Sequence, residues 1–464
     1  MSTAFLSALE QARLIREQAV SPVEIVEEYL ERIERIDPML NSYVTVCADE
    51  ALAQARDPRP GPFSGVPLPI KDLADTAGIR TTYSCRAFAD HVPTEDAALV
   101  RRIRAAGFIV LGKTNTPEFG TTVVTESDLN GICRNPWNTS HTPGGSSGGA
   151  AAAVAAGLAP LAQGGDGAGS IRIPASCCGL FGLKPTRGRT STAPQGNVHG
   201  FAVYGPLART VADAAAFLDV ISGPEPGDPH LAPPPDRPFL EEVGVPPGRV
   251  RVALVLDPPT RTRVDPACAS AAREAAALLE ELGHHVDEVS IDWREDLRAP
   301  FTLVWQTIPS VYVSETSQVE PLNAAFTARA RATSSVEYLR AFSLLQRYGR
   351  RVAAFCAGYD VVLTPTLALP PVPEGWVREP EDPWEQYARA IEFAPFTAPV
   401  NIAGLPAVSI PMSRTADGLP IGVQLVASAA GEPMLLRLSA QIEAARPWAD
   451  ERSSVAGLTP LPSA

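Results

Sequence analysis

Val23, Val26, Leu30, Ile33 and Ile36 fall at helical spacing and predict an amphipathic helix. Its start is explicit in Ser21-Pro22-Val23-Glu24, where Ser21 is the N-cap, Pro22 the first helical residue and Glu24 the partner in a capping box. Asp37-Pro38 is expected to stop it. The apolar run Gly65 to Asp72 (GVPLPIKD) reads as a strand made irregular by its prolines. Asp96 to Ala106 reads as an amphipathic helix with a basic face, and Phe108 to Leu111 as a buried strand ended by Gly112-Lys113. Further on, strands are predicted at Val250 to Leu256, His285 to Ile291 and Asp360 to Thr366, with a helix at Pro266 to Leu282. Residues 296 to 356 read as mainly helical and 369 to 383 as a proline-rich loop. Ala407 to Pro411 and Ile421 to Ala427 form a strand pair around Ala416-Asp417-Gly418, and Glu432 to Ala445 is a last helix. Strand and helix alternate, which predicts an α/β layer architecture.

One segment breaks this pattern. Pro143 to Gly169 is almost devoid of large side chains. Such a tract is either a linker or a place of close backbone approach. Gly149 to Leu158 is good helix material, and a dense apolar pattern resumes from Ile171 to Pro185, so the second reading is favoured. With no internal repeat and no clear linker, residues 1–464 are expected to form one large domain.

Composition narrows the function classes. The 464 residues carry a net charge of −13, 45% hydrophobic and 20% charged residues, which is ordinary for a globular protein. A pI near 5.1 without a basic cluster argues against a nucleic-acid partner. The longest apolar run, Ala150 to Ala162, is too short to span a bilayer, and the N-terminus lacks the basic-then-apolar order of a secretory signal. Seven scattered cysteines without metal spacing read as reduced thiols, and a cytoplasmic location is expected. Of the 39 basic residues only three are lysine, namely Lys71, Lys113 and Lys184. Unlike arginine, a buried lysine can lose its proton, so each is a candidate base as well as a candidate structural ammonium.

Two glycine-rich constellations carry candidate chemistry. Gly144 to Gly149 (GGSSGG) matches G-x-S-x-G twice, but loop residues precede it where a nucleophile elbow needs a buried strand. No Gly-Lys-Ser/Thr end follows, as a phosphate loop requires. Gly164 to Arg172 (GGDGAGSIR) can converge successive peptide N–H groups into an anion-binding nest immediately before Ser170. A serine so placed suits acyl transfer, with the nest holding the oxyanion; a tight turn with an ordinary serine cap is the alternative. Asp166 and Arg172 flank the turn with opposite charges and are expected to brace it.

Together with GVPLPIKD these segments closely resemble the amidase signature family. The resemblance continues through Gly112 to Asn115, Arg134 to Trp137, Thr142 to Gly149, Gly167 to Pro185, Gly205 to Asp213, Leu363 to Pro365 and Gly422 to Gln424. The matches run in order from about residue 20 to 445, with core motifs at about 60–215 and a variable region at about 296–395 expected to line the substrate pocket. The resemblance implies a central twisted mixed β-sheet surrounded by helices. It implies a Ser–cis-Ser–Lys triad of Ser170 as nucleophile, Ser146 as bridging serine, joined by a cis peptide to Gly145, and Lys71 as base. It further implies an oxyanion hole at Gly167, Ala168 and Gly169, a substrate-binding segment at Gly120 and Thr121, and support from Ser147, Asp166 and Arg172. Lys113 and Lys184 fall to structural roles.

The chemistry implied is that of a serine amidohydrolase for a small or oligomeric amide or carbamate substrate, with no metal and no cofactor. Nucleic acid and membrane are not expected partners; a second copy of the chain, in a homodimer, is the protein partner considered. Ala168 stands where the family often has glycine, which narrows the pocket. Ile173 stands where the glutamyl-tRNA amidotransferase A-subunit usually has glutamine, which favours a free-standing amidase over a transamidation subunit. A non-catalytic binding protein of the same fold is the remaining alternative. Phe301, Trp305, Tyr312, Tyr338 and Phe342 read as pocket aromatics, or else as core.

Overall fold

The computed structural model describes residues 3–197, 199–260, 262–291 and 296–455. The outer ends of the expected 1–464 domain, residues 1–2 and 456–464, lie outside the described residues. Eight strands form a mixed sheet in the spatial order His285–Glu288, Arg251–Leu254, Val361–Pro365, Pro420–Ala427, Ala407–Arg414, Phe181–Lys184, Val203–Ala208 and Leu161–Asp166. The first three run parallel and each later pair is antiparallel.

Alternation along the central strands sends side chains to opposite faces. Leu363, Val408 and Leu425 join one buried cluster, which Val211–Ile221, Pro266–Glu281 and Glu432–Ala445 cover. Val362, Ala407 and Val426 join another, under Arg298–Trp305 and Ser335–Cys356. Each such large aliphatic side chain taken from water contributes roughly 1.5–3 kcal/mol. The result is one α/β domain with helices around a mixed sheet. Among the described residues no helix is long and apolar enough to cross a membrane.

Two predicted ends are corrected. The first long helix runs Pro22–Leu40, through Asp37-Pro38. Pro38 lies in its last turn, where one missing N–H bond is cheap, and the left-handed Asn41 closes the helix by donating to the Asp37 carbonyl at 2.7 Å. The strand expected to stop at Gly112-Lys113 continues as Ile109–Thr114. A Cβ on Gly112 would lie 2.1 Å from the Thr45 carbonyl oxygen, so this glycine admits a neighbouring strand instead of ending its own. Strands Tyr43–Val46 and Leu161–Asp166 were not predicted, nor were helices Ala8–Arg16, Ala48–Arg56, Val211–Ile221 and Pro383–Phe393. Leu161–Asp166 (LAQGGD) has little β-propensity; it is a strand because Val203–Ala208 pairs with its whole length.

The Gly/Ala tract is packed, not a linker. Gly148–Ala155 is a helix buried on every side, and a Cβ on Gly149 would meet the Asn115 backbone nitrogen at 2.4 Å. It carries the chain from the Ser146-Ser147 turn to the edge strand that leads to Ser170. Beside that strand lies a second sheet, ordered Tyr43–Val46, Ile109–Thr114, Pro67–Lys71. Gln163 joins the two sheets: its Oε1 accepts the Lys71 peptide N–H at 3.0 Å and its Nε2 donates to the Gly164 carbonyl at 2.7 Å. Replacing Gln163→Leu leaves the buried Lys71 N–H without an acceptor, and a loss of about 1–3 kcal/mol is expected. Urea unfolding measures it; an unchanged midpoint contradicts this role for Gln163.

Candidate active site

Lys71 ends its strand, 2% exposed, and points its ammonium toward the Ser146-Ser147 turn. Its Nζ donates to Ser146 Oγ at 2.7 Å and lies 3.5 Å from the Gly165 carbonyl oxygen. The Gly145–Ser146 peptide is cis. Ser147 ties this turn to the nucleophile candidate, since its peptide N–H donates to the Ser170 carbonyl at 3.2 Å and its hydroxyl to the Gly165 carbonyl at 3.2 Å. Ser170 shares a cavity wall with Lys71 and Ser146. Among the described residues its hydroxyl has no hydrogen-bond partner.

Beneath Ser170 lies a buried ionic network. Arg172 and Asp166 are both inaccessible and pair at 3.0 Å, with a second bond from Arg172 Nε to Asp166 Oδ2 at 3.0 Å. Burial alone would raise the Asp166 pKa, but Arg172 overrides it and holds the carboxyl well below the usual range. Arg172 also donates to the Thr397 carbonyl at 3.1 Å and to the side-chain oxygens of Gln424 and Asn401. Asn401 returns a bond to Asp166 Oδ1 at 2.8 Å. Asp166 then fixes the turn, accepting the Gly169 N–H at 2.7 Å and the Ile171 N–H at 3.2 Å.

Gly169 was expected, with Gly167 and Ala168, to hold an oxyanion; its N–H donates to the Asp166 carboxylate. The Gly167 and Ala168 N–H groups have no partner among the described residues, and these two residues line the cavities beside Ser170. Gly169 is required for another reason: its φ is +133°, and a Cβ there would meet Thr397 Oγ1 at 2.3 Å.

Gly120 and Thr121 border the same space. The Thr121 hydroxyl turns away, donating to Asn323 Oδ1 at 2.7 Å, while its carbonyl accepts Trp305 Nε1 at 3.0 Å. Phe301, Trp305 and Tyr312 line the cavities. Tyr338 and Phe342 do not; they stack on each other at 6.1 Å, and the Tyr338 hydroxyl lies 3.0 Å from His199 Nδ1. The variable region shares pocket-lining with residues 192–197 and 199–204, stretches not predicted to contribute.

All three lysines are fully buried, and desolvation lowers Lys71 and Lys184 to about 7 and Lys113 to about 8. Proton affinity therefore does not single one out; position does. Lys113 is held by the Ala74 carbonyl, Thr76 and Thr81, and Lys184 by the Pro185 carbonyl at 2.7 Å. Only Lys71 meets a serine on the cavity. Sequence reasoning missed Gln163, Thr397 and Asn401. Gln163 and Asn401 left a weak signal, a lone amide in an otherwise small or apolar run.

A buried serine against a lysine amine that desolvation brings to titrate near 7, beside a glycine turn with unpartnered peptide N–H groups among the described residues, is suited to acyl-transfer hydrolysis. A family model described as Amidase matches residues 24–436. The 6-aminohexanoate-cyclic-dimer hydrolase of Paenarthrobacter ureafaciens is 38% identical over 481 residues, covering 96% of each chain. The acylamidase of Rhodococcus erythropolis is 35% identical over 470 residues, covering 97% of each. A solved structure of 6-aminohexanoate cyclic dimer hydrolase superimposes with a TM-score of 0.94 at 35% identity, covering 98% of this chain and 100% of that one. The chain belongs to the amidase signature family. It is a hydrolase acting on C–N bonds.

Removing Arg172 leaves the Asp166 carboxylate buried without its counter-charge. Arg172→Met is expected to lose about 3–5 kcal/mol, read from chemical denaturation. A loss below about 1 kcal/mol contradicts the bracing role of this pair.

Proposed function

We propose that the chain hydrolyses small amides, and carbamates that present the same carbonyl–nitrogen bond, through an acyl-enzyme on Ser170. The observation that carries this reading is the buried 2.7 Å contact from Lys71 Nζ to Ser146 Oγ on the cavity that Ser170 shares. Neutral Lys71 takes the Ser146 hydroxyl proton as Ser146 takes that of Ser170. The Ser170 oxygen bonds to the substrate carbonyl carbon. The Gly167 and Ala168 N–H groups hold the oxyanion. Collapse breaks the C–N bond, and the proton returns from Lys71 through Ser146 to the departing amine. Water then adds to the ester by the same proton path and releases the acid, regenerating Ser170. The relatives' names, a cyclic-dimer hydrolase and an acylamidase, support a small amide substrate. All seven cysteines are free and buried, which supports the cytoplasmic reading.

Ser170→Ala is expected to lower kcat/KM at least ~10³-fold and to abolish acyl-enzyme in intact-mass spectra. Near-native turnover contradicts the assignment. Lys71→Arg keeps the charge but removes the base, and a loss of ~10²–10⁴-fold is expected. Because Lys71 titrates near 7 and acts unprotonated, kcat/KM of the parent enzyme should rise with pH through about 7 and then level off. A profile flat from about pH 5 to about pH 9 contradicts Lys71 as the base.

A further inference from the structure

Gly120 and Thr121 reach the site on a turn of uncommon backbone conformation. Phe119 has a φ of +53° and Gly120 one of +69°, two left-handed residues in succession. Left-handed backbone is costly for a bulky residue such as Phe119 and persists only where the surroundings hold it. The turn is also tightly seated. A Cβ on Gly120 would lie 2.7 Å from Leu73 Cδ1 and 3.1 Å from Ser146 Oγ. The hydroxyl that meets Lys71 Nζ therefore packs directly against this backbone.

From the core side the Tyr83 carbonyl accepts the Phe119 N–H at 2.9 Å. The other ties come from the variable region. The Tyr312 ring stacks on Phe119 at 4.8 Å and 15°, and Trp305 Nε1 donates to the Thr121 carbonyl at 3.0 Å. Asn323, buried in the first turn of helix Pro321–Ala332, grips both ends of the turn. Its Oδ1 accepts the Thr121 hydroxyl at 2.7 Å, and its Nδ2 donates to Glu118 Oε2 at 2.8 Å. The same carboxylate oxygen accepts the Glu320 N–H at 3.0 Å, which pins the start of the helix to the turn. Asn323 is not among the residues that line either cavity beside Ser170, so its route to the reacting atoms runs through the turn.

We propose that Asn323 is a positioning residue for the proton path. By clamping Glu118 and Thr121 it fixes the left-handed turn against Ser146, and so keeps the Ser146 hydroxyl aligned with Lys71. Helix Pro321–Ala332 thereby helps to set the rate without supplying a reacting group. This deepens the Ser170–Ser146–Lys71 reading and rests on it.

Turnover of 4-nitrophenyl butyrate, followed by release of 4-nitrophenolate, separates kcat from KM. Acylation and deacylation both use Ser146, so a fault in its alignment slows both and leaves KM in place. Asn323→Leu, close in size but without the clamp, is expected to lower kcat ~10–10²-fold with KM within about threefold of the parent value. Glu118→Leu should fall with it, and Glu118→Gln, which keeps an oxygen where both donors point, should recover most of that loss. Thr121→Val cuts the other arm of the clamp and should lower kcat in the same way. The Thr121→Val/Asn323→Leu pair should fall no further than Asn323→Leu alone. A parent-like kcat in Asn323→Leu, or a raised KM with kcat unchanged, overturns the positioning role. A parent-like kcat in Thr121→Val, or losses that multiply in the pair, overturns the route through Thr121. If Asn323→Leu does not fold, Thr121→Val and the two Glu118 variants decide by the same kcat criterion. Failure of the underlying reading looks different: Ser170→Ala would release 4-nitrophenolate as fast as the parent, or the parent would release none, and this inference falls with it.

Discussion

A lysine stripped of water holds its proton less tightly, and most of the site depends on that constraint. Lys71 is enclosed by the second sheet, the Ser146-Ser147 turn and the edge strand Leu161–Asp166. Enclosure this tight needs backbones that approach closely, which is why the surrounding tract is glycine and alanine. The Asp166 charge favours the ammonium, yet desolvation outweighs it. Arg172 matters here too, because it already engages the Asp166 carboxylate. An amine resting near its own titration point can take a proton and give it back within one cycle.

The same tract also holds the turn before Ser170. Asp166 is fixed by Arg172 and Asn401 and grips the Gly169 and Ile171 peptide N–H groups. The Gly167 and Ala168 N–H groups are left to whatever enters. Ser147 joins this turn to that of Ser146, so the two serines and the lysine share one small-residue framework.

Much of this was legible in the sequence because it is local. The capping box at Ser21, the strand carrying Lys71 and the glycine turn before Ser170 depend on neighbours a few residues away. What was not legible depends on partners far along the chain. Gln163 has meaning only once Lys71 lies beside it. Strand Leu161–Asp166 has no pattern of its own and is created by its partner. The role of Gly169 needed Asp166 to be seen accepting its N–H. Tyr338 and Phe342 were open between pocket and core by residue type, and helix Ser335–Cys356 packs them, half-buried, against the core. Trp305 was legible as a candidate aromatic, but its bond to the Thr121 carbonyl, 184 residues earlier, was not.

The scarcity of lysine offers the most direct test of the central claim that Lys71 titrates near neutral pH. With only three lysines in the chain, protein labelled with ¹³C at lysine Cε gives three side-chain signals, and Lys71→Arg identifies the one that matters. Titrated by NMR, that signal should show a midpoint near 7. A midpoint near the ordinary lysine value of about 10.4 would contradict the account.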